Sequence, residues 1–212
     1  MNSGPVSADR GSEDSVQAWL VDLDGTLYRP KPLKLLMAGE LLLLGLPSLP
    51  VVRAFRASHE ELREDPDAPA GDPFRIQLER TSERLGRPVE EIERVVRRWM
   101  VERPGKWLRA LRRSSLLEEI ATFRSTGGRT ALVSDYPARA KLGAMGCSGL
   151  FDVVVASGEP DGPDRLKPDP AGYLLAAGRL GVEPAECLVL GDREDADGAA
   201  ARAAGMAFRL VD

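Results

Sequence analysis

Residues Ala18-Trp19-Leu20-Val21-Asp22-Leu23-Asp24-Gly25-Thr26-Leu27 run from an apolar stretch directly into two carboxylates and a glycine. The uninterrupted run Ala18 to Val21 asks for burial on both sides, as a strand inside a parallel sheet has it. Asp22 and Asp24 leave its end one residue apart, and Gly25 lets the backbone turn sharply behind them. Two like charges held against apolar surroundings are costly unless a cation or a proton transfer uses them. A nucleophile beside an acid/base over Mg2+ uses both. Read alone, the same residues also fit an Asp-Gly turn that closes an ordinary strand.

Outward from this segment, four later stretches repeat a short apolar run that ends in glycine, serine or acid: Thr130 to Asp135, Asp152 to Ser157, Cys187 to Asp192 and Ala207 to Val211. Helical candidates fall between them at Ser115 to Ser125, Pro137 to Met145, Pro170 to Leu180 and Ala196 to Ala204. Strands alternating with helices predict an α/β fold of three layers, a mostly parallel sheet covered on both faces. From about Arg29 to Arg113 the alternation stops and no strong strand signal appears. Pro88 to Trp99 sets Val89, Ile92, Val95, Val96 and Trp99 on one helical face, with Pro88 near the first turn and acids early in the run. The proline-rich stretch Asp65 to Pro73 reads as a loop between helical pieces. The chain is thus expected to divide into a lead at 1–15, a core at 16–28 and 114–212, and an inserted helical module at 29–113. An insertion at that point overhangs the carboxyl ends of the strands, where open α/β sheets place their ligands.

Composition narrows the functional classes. The chain has 212 residues, 43% apolar and 29% charged, enough for one substantial core and a smaller module. Aromatics make up 5% and the formal charge is −4, which argues against a stacking platform and against a nucleic-acid partner. Cys147 and Cys187 form neither a disulfide framework nor a thiolate zinc site, and read as small core residues in a reducing, cytoplasmic compartment. The start, MNSGPVSADRGSEDS, lacks the apolar core of a signal peptide and reads as a disordered lead. Leu33 to Leu46 is apolar but too short to span a bilayer, and is expected to be a buried helix of the inserted module. No membrane association is expected, and the chain reads as a monomer or homodimer.

Four separated signals share one chemistry. Asp22 can attack phosphorus through a carboxylate oxygen, while Asp24 protonates the leaving group and later deprotonates water. Ser134, at the end of its strand, can bind a phosphoryl oxygen with its hydroxyl, or else cap a helix or turn. Lys167, in Leu166-Lys167-Pro168-Asp169-Pro170, can hold the nucleophile ionised and offset phosphoryl charge. In Gly191-Asp192-Arg193-Glu194-Asp195-Ala196-Asp197-Gly198, Asp192 can bind Mg2+, and Asp197 can hold a metal-bound water or orient Lys167.

Together, VDLDGTL, the strand ending at Ser134, Lys167 in LKPDP and the G-D-x4-D spacing of Asp192 and Asp197 resemble the haloacid-dehalogenase-like hydrolase superfamily. The resemblance runs from about Trp19 to Val211. It implies a Rossmann-like core with a mobile helical cap inserted after the first motif. Asp22 then corresponds to the nucleophile, Asp24 to the acid/base with its carbonyl as a further metal ligand, and Asp192 to a Mg2+ ligand. Dehalogenase relatives lack the second aspartate as a rule, because a halide leaving group needs no proton whereas an alkoxide does. Asp24 therefore favours a Mg2+-dependent phosphomonoester hydrolase that works through an aspartyl-phosphate on a small phosphorylated molecule. A phosphomutase, and a binding or regulatory protein with lost or partner-dependent turnover, are the alternatives.

Asp135 departs from the asparagine that many members carry after the second-motif residue. A carboxylate there repels a phosphate unless it turns away, is protonated or pairs with an arginine, and it is a supporting candidate for specificity. Glu159 to Arg165 reads as a polar edge of the pocket. The basic tract Arg94, Arg97, Arg98, Arg103, Lys106, Arg109, Arg112 and Arg113 either draws in an anionic substrate or partner, or forms a solvated helix surface balanced by upstream glutamates. Trp99, Trp107 and His59, the single histidine, read as packing residues more readily than as ligands.

Overall fold

The computed structural model describes residues 16–65 and 67–212; the lead expected at 1–15 lies outside the described residues. Five strands, β1 (Ala18–Asp22), β2 (Arg129–Ser134), β3 (Val153–Ala156), β4 (Cys187–Gly191) and β5 (Ala207–Leu210), form one parallel sheet in the order β3-β2-β1-β4-β5. The first strand is therefore the innermost. Asp22 lies level with Val133 of β2, and Val21 with Leu190 of β4, so the last residues of three neighbouring strands open on one edge. Successive strands are added to one side of β1 as far as β3 and to its other side from β4 on, which creates the crevice where such sheets bind ligands.

Alternation along β1 divides the core into two layers. Val21 and Leu23 join Leu132 and Leu190 against α6 (Ser114–Ser125) and α7 (Arg139–Met145), with Leu116, Ile120 and Leu142 in the contact. Ala18 and Leu20 join Val133 and Val189 on the other face, against Tyr173 and Ala176 of α8 (Ala171–Leu180) and Ala200 of α9 (Ala199–Ala203). A side chain such as Leu20, fully buried, contributes about 1.5–3 kcal/mol by leaving water.

Between β1 and α6 the chain is helical: α1 (Pro30–Leu44), α2 (Leu49–Glu64), α3 (Pro73–Leu85), α4 (Val89–Val96) and α5 (Gly105–Leu111). This segment has a core of its own, with Val51 and Phe55 of α2 against Phe74 and Leu78 of α3 and Ile92 and Val96 of α4. Asp72 caps α3 by accepting from the Phe74 N–H at 3.0 Å, and the same oxygen accepts from the Gly158 N–H at 2.9 Å beyond β3. The chain enters and leaves the segment side by side, with Arg29 N–H on the Leu111 carbonyl and Arg113 N–H on the Leu27 carbonyl.

Three expectations are corrected. The apolar stretch Leu33 to Leu46 is a helix, but it is not buried. Leu33 faces the core beside Met37, Trp107 and Leu111, whereas Leu35 is 77% and Leu43 84% exposed, with Leu42, Leu44 and Leu46 also open. Leucines are spread all round α1, and only one of its faces meets a neighbour. The helix expected from Ala196 to Ala204 starts instead as a wide turn, Glu194–Gly198, before α9. Its backbone N–H groups at Asp197 and Gly198 both bond the Arg193 carbonyl, which brings the Asp197 side chain inward. The regular turns predicted through Trp99 end at Val96 and continue as a wide turn over Arg97–Glu102. Among the described residues no single helix is long and apolar enough to cross a membrane.

Candidate active site

Most of the predicted site residues sit where a strand stops. Asp22 ends β1, Ser134 ends β2, and Asp192 follows β4, while Lys167 reaches in from the loop before α8. Asp22, Asp24, Asp135, Lys167 and Asp192 line one cleft of about 360 Å3 between the sheet edge and the helical segment.

Lys167 is buried, and its ammonium donates to Asp22 Oδ1 and to Asp197 Oδ1, the latter at 2.7 Å. Thr26 Oγ1 donates to the other oxygen of Asp22 at 2.9 Å. Asp197 is itself fully engaged: Oδ1 also accepts from the Tyr173 hydroxyl at 2.8 Å, and Oδ2 from the Arg193 N–H at 3.2 Å. Of the two contacts anticipated for Asp197, the one to Lys167 is made. Burial lowers the tendency of Lys167 to stay charged, but Asp197 and Asp22 more than offset it and push its pKa well up, so it remains an ammonium.

Asp22, Asp192 and Asp197 bring one carboxylate oxygen each within 4.8 Å of the others. Burial first, and then repulsion from Asp197 and Asp24, push Asp22 well above its ordinary value against the pull of Lys167. Burial and Asp197 likewise raise Asp192. Three acids against one ammonium leave a deficit of positive charge. Hard oxygen donors in that arrangement fit a divalent cation such as Mg2+.

Asp24 is held by a different cation, which sequence reasoning missed. Lys141, on α7, is buried and donates to both carboxylate oxygens, at 2.5 Å to Oδ1 and 2.8 Å to Oδ2, while Tyr28 donates its hydroxyl to Oδ1 at 2.5 Å. Burial raises the Asp24 pKa, but the charge and hydrogen bonds of Lys141 and the bond from Tyr28 outweigh it, and the carboxyl ends below its ordinary value. One signal was available: a lysine in an otherwise apolar helical face, Ala138, Leu142 and Met145, needs an anion when that face is buried.

The remaining predicted residues are placed less directly. Ser134 is buried and does not line the cleft; its Oγ accepts from the Tyr136 N–H at 3.2 Å, which is the turn-capping role, and leaves its own proton to donate. Asp135 turns toward the helical segment, where Oδ2 lies 3.9 Å from Arg63 Nη2, and Oδ1 accepts from the Lys167 N–H at 3.3 Å. His59 is packed, stacked on Tyr136 with ring centroids 4.7 Å apart and hydrogen-bonded to Gln77 at 3.1 Å. None of the basic tract from Arg94 to Arg113 lines the cleft. Arg97 pairs with Glu93 at 2.7 Å, Arg103 and Lys106 converge on Glu40, and Trp107 donates to Glu40 at 2.9 Å. The cations that do face the cleft are Lys34, Arg56, Arg63, Lys141, Lys167 and Arg193. Arg193 and Glu194 do not pair with each other; Asp195 takes the first and Arg202 the second.

Comparison with known proteins places the chain in a family. The family model for haloacid dehalogenase-like hydrolases matches residues 16–205. Fructose-1-phosphate phosphatase YqaB of Escherichia coli K12 is 43% identical over 83 residues, a segment that spans 38% of this chain and 38% of that protein. Among solved structures, a HAD phosphatase from Thermococcus onnurineus superposes with a TM-score of 0.61 at 21% identity, covering 93% of this chain and 86% of that one. An L-2-haloacid dehalogenase from Xanthobacter autotrophicus gives a TM-score of 0.63 at 19% identity, with 92% and 77% covered. The structural matches establish the shared fold, while the family model spans the acidic strand ends and both lysines described above. With nearly the whole described chain matched, the protein belongs to the haloacid dehalogenase-like hydrolase family.

Proposed function

We propose that the protein is a Mg2+-dependent phosphomonoester hydrolase that works through an aspartyl-phosphate on Asp22, with residues 29–113 serving as a cap over the cleft. The observation that carries this reading is the second aspartate. Asp24 lines the same cleft as Asp22 and offers a proton-transfer group that displacement of a halide does not need. The partial identity to a fructose-1-phosphate phosphatase supports phosphate chemistry without fixing the substrate.

In this mechanism Asp22 attacks phosphorus in line with the ester oxygen. The bond to that oxygen breaks, Asp24 gives it a proton, and the alcohol leaves. Water then attacks the aspartyl-phosphate and Asp24 takes up its proton, which releases inorganic phosphate and restores Asp22. Lys167, fixed by Asp197 and Tyr173, favours the ionised form of Asp22 and offsets phosphoryl charge. The Ser134 hydroxyl keeps its own proton free and would offer it to a phosphoryl oxygen that reaches the end of β2. Asp22, Asp192 and the carbonyl of Asp24 would hold Mg2+, which supplies charge neutralisation that lets an anionic nucleophile approach an anionic ester.

The test is phosphate release by wild type and Asp22→Asn, with Mg2+ and with chelator, on sugar phosphates including fructose 1-phosphate, phosphoglycolate, nucleotides and prenyl phosphates. Turnover should need Mg2+ and should fall by at least about a thousandfold in the variant. A folded variant that keeps its rate would remove Asp22 as nucleophile and with it the mechanism. Transfer of phosphate to a second substrate hydroxyl instead of water would identify a mutase.

A further inference from the structure

Asp24 is not free to turn. Oδ1 accepts two hydrogen bonds, from Tyr28 and from Lys141, and is saturated, whereas Oδ2 accepts only from Lys141 at 2.8 Å and keeps a lone-pair direction open. The Asp24 side chain is 26% exposed while that of Lys141 is 5% exposed, so of these two cleft-lining groups the carboxyl is the more open to an incoming ester. Lys141 comes from α7, packed on the sheet face, and among the described residues Asp24 is its one ion-pair partner. The two lysines thus divide the acid pair between them, Lys167 on Asp22 and Lys141 on Asp24.

We infer that Lys141 is a positioning residue for leaving-group protonation: by gripping both oxygens of Asp24 it presents Oδ2 to the departing ester oxygen. The inference rests on the hydrolase reading above. In the first step the Asp22–phosphorus bond forms, the phosphorus–ester oxygen bond breaks, and the proton that Oδ2 took from water in the preceding turnover passes to that oxygen. The carboxylate left behind already lies against the Lys141 ammonium, so the charge appearing there in the transition state meets a fixed partner. A lysine needed only to fill and neutralise the core affects every substrate alike.

Substrates that differ only in how much their leaving group needs a proton separate these roles. Rates of phenyl, para-nitrophenyl and dinitrophenyl phosphate hydrolysis are measured with Mg2+ for wild type, Lys141→Met, Lys141→Arg and Tyr28→Phe. Wild type is expected to depend weakly on the leaving group. Lys141→Met should lose about a hundredfold in kcat/KM on phenyl phosphate and less than about threefold on dinitrophenyl phosphate, in keeping with the size of general-acid contributions. Lys141→Arg should recover part of that loss, and Tyr28→Phe should show the same substrate ranking in weaker form. The ratio between substrates is independent of how much of a variant is folded, and Tyr28→Phe carries the test if Lys141→Met yields no folded protein. Equal losses on all three esters, or a change confined to KM, overturn the positioning role while leaving the hydrolase standing. A wild type that releases no phosphate from these esters or from the metabolite panel above, with Mg2+ present, overturns both.

Discussion

Gly25 lies so close to Asp192 that a Cβ at position 25 would stand 2.0 Å from Asp192 Oδ2. The turn behind the acid pair and the acid after β4 are built as one piece. Its φ of +108° adds a second reason for glycine, since side-chain-bearing residues rarely adopt it. Gly25→Ala should push Asp192 away from Asp22, cut Mg2+-dependent turnover by more than about tenfold and cost roughly 1–3 kcal/mol of stability. Mg2+ titration of melting temperature checks it; an unchanged Mg2+ response would show that the contact does not hold the acid in place.

Asp22 and pH. A carboxyl that binds its proton more tightly in the folded chain stabilises the fold toward acid pH and loses that contribution as pH rises through its folded-state value. Burial and the neighbouring acids place Asp22 in this class, above its ordinary 3.8. In metal-free protein, Asp22→Asn should therefore raise the melting temperature at neutral pH, by about 2–4 °C for each kcal/mol of relieved charge, and the gain should shrink as pH falls toward 3.8. Mg2+ should abolish the gain by stabilising wild type alone. A variant less stable than wild type at neutral pH without metal would contradict the charge imbalance.

Tyr173 reaches Lys167 through Asp197. Tyr173→Phe removes the 2.8 Å bond to Asp197 Oδ1 while keeping the ring in its packed place. The expected cost is about 1–2 kcal/mol, with kcat reduced several-fold because the lysine is less firmly placed. Denaturant unfolding and steady-state rates read the two effects separately; a full loss of activity would assign Tyr173 a more direct role.

Helix α1 offers a control outside the site. Leu42→Glu and Leu43→Glu alter positions that touch little, so the double variant should stay within about 0.5 kcal/mol per site of wild type. A drop of several kcal/mol would mean that these leucines are covered in solution, and light scattering would then reveal by what.

Much of the fold was legible because strand and helix signals alternate cleanly after residue 114, and each expected strand there lies within a residue or so of its observed place. Asp22, Asp24, Lys167 and Asp192 could be anticipated because each stands at the end of an apolar run or beside a proline, where local pattern fixes position. Lys141 could not be placed so, since its meaning depends on a partner 117 positions away. The exposure of α1 was illegible for a related reason: leucines on every side of a helix say that it is apolar, and only its neighbours determine which side is covered. For the basic tract the two readings could be told apart only in three dimensions: it stays out of the cleft, and Arg97, Arg103 and Lys106 meet Glu93 and Glu40 instead.

The distance along the chain between each aspartate and its lysine has a consequence for biosynthesis. Asp24 waits for a residue 117 positions later and Asp22 for one 145 positions later. Until α7 and the loop before α8 have been made, the tip of the innermost strand therefore lacks both of the lysines that hold its acids in the folded protein. Charges that flank an apolar strand oppose its pairing with other chains before its proper neighbours exist. The acids that serve the reaction would then also act, earlier, as the gatekeepers of the strand that bears them.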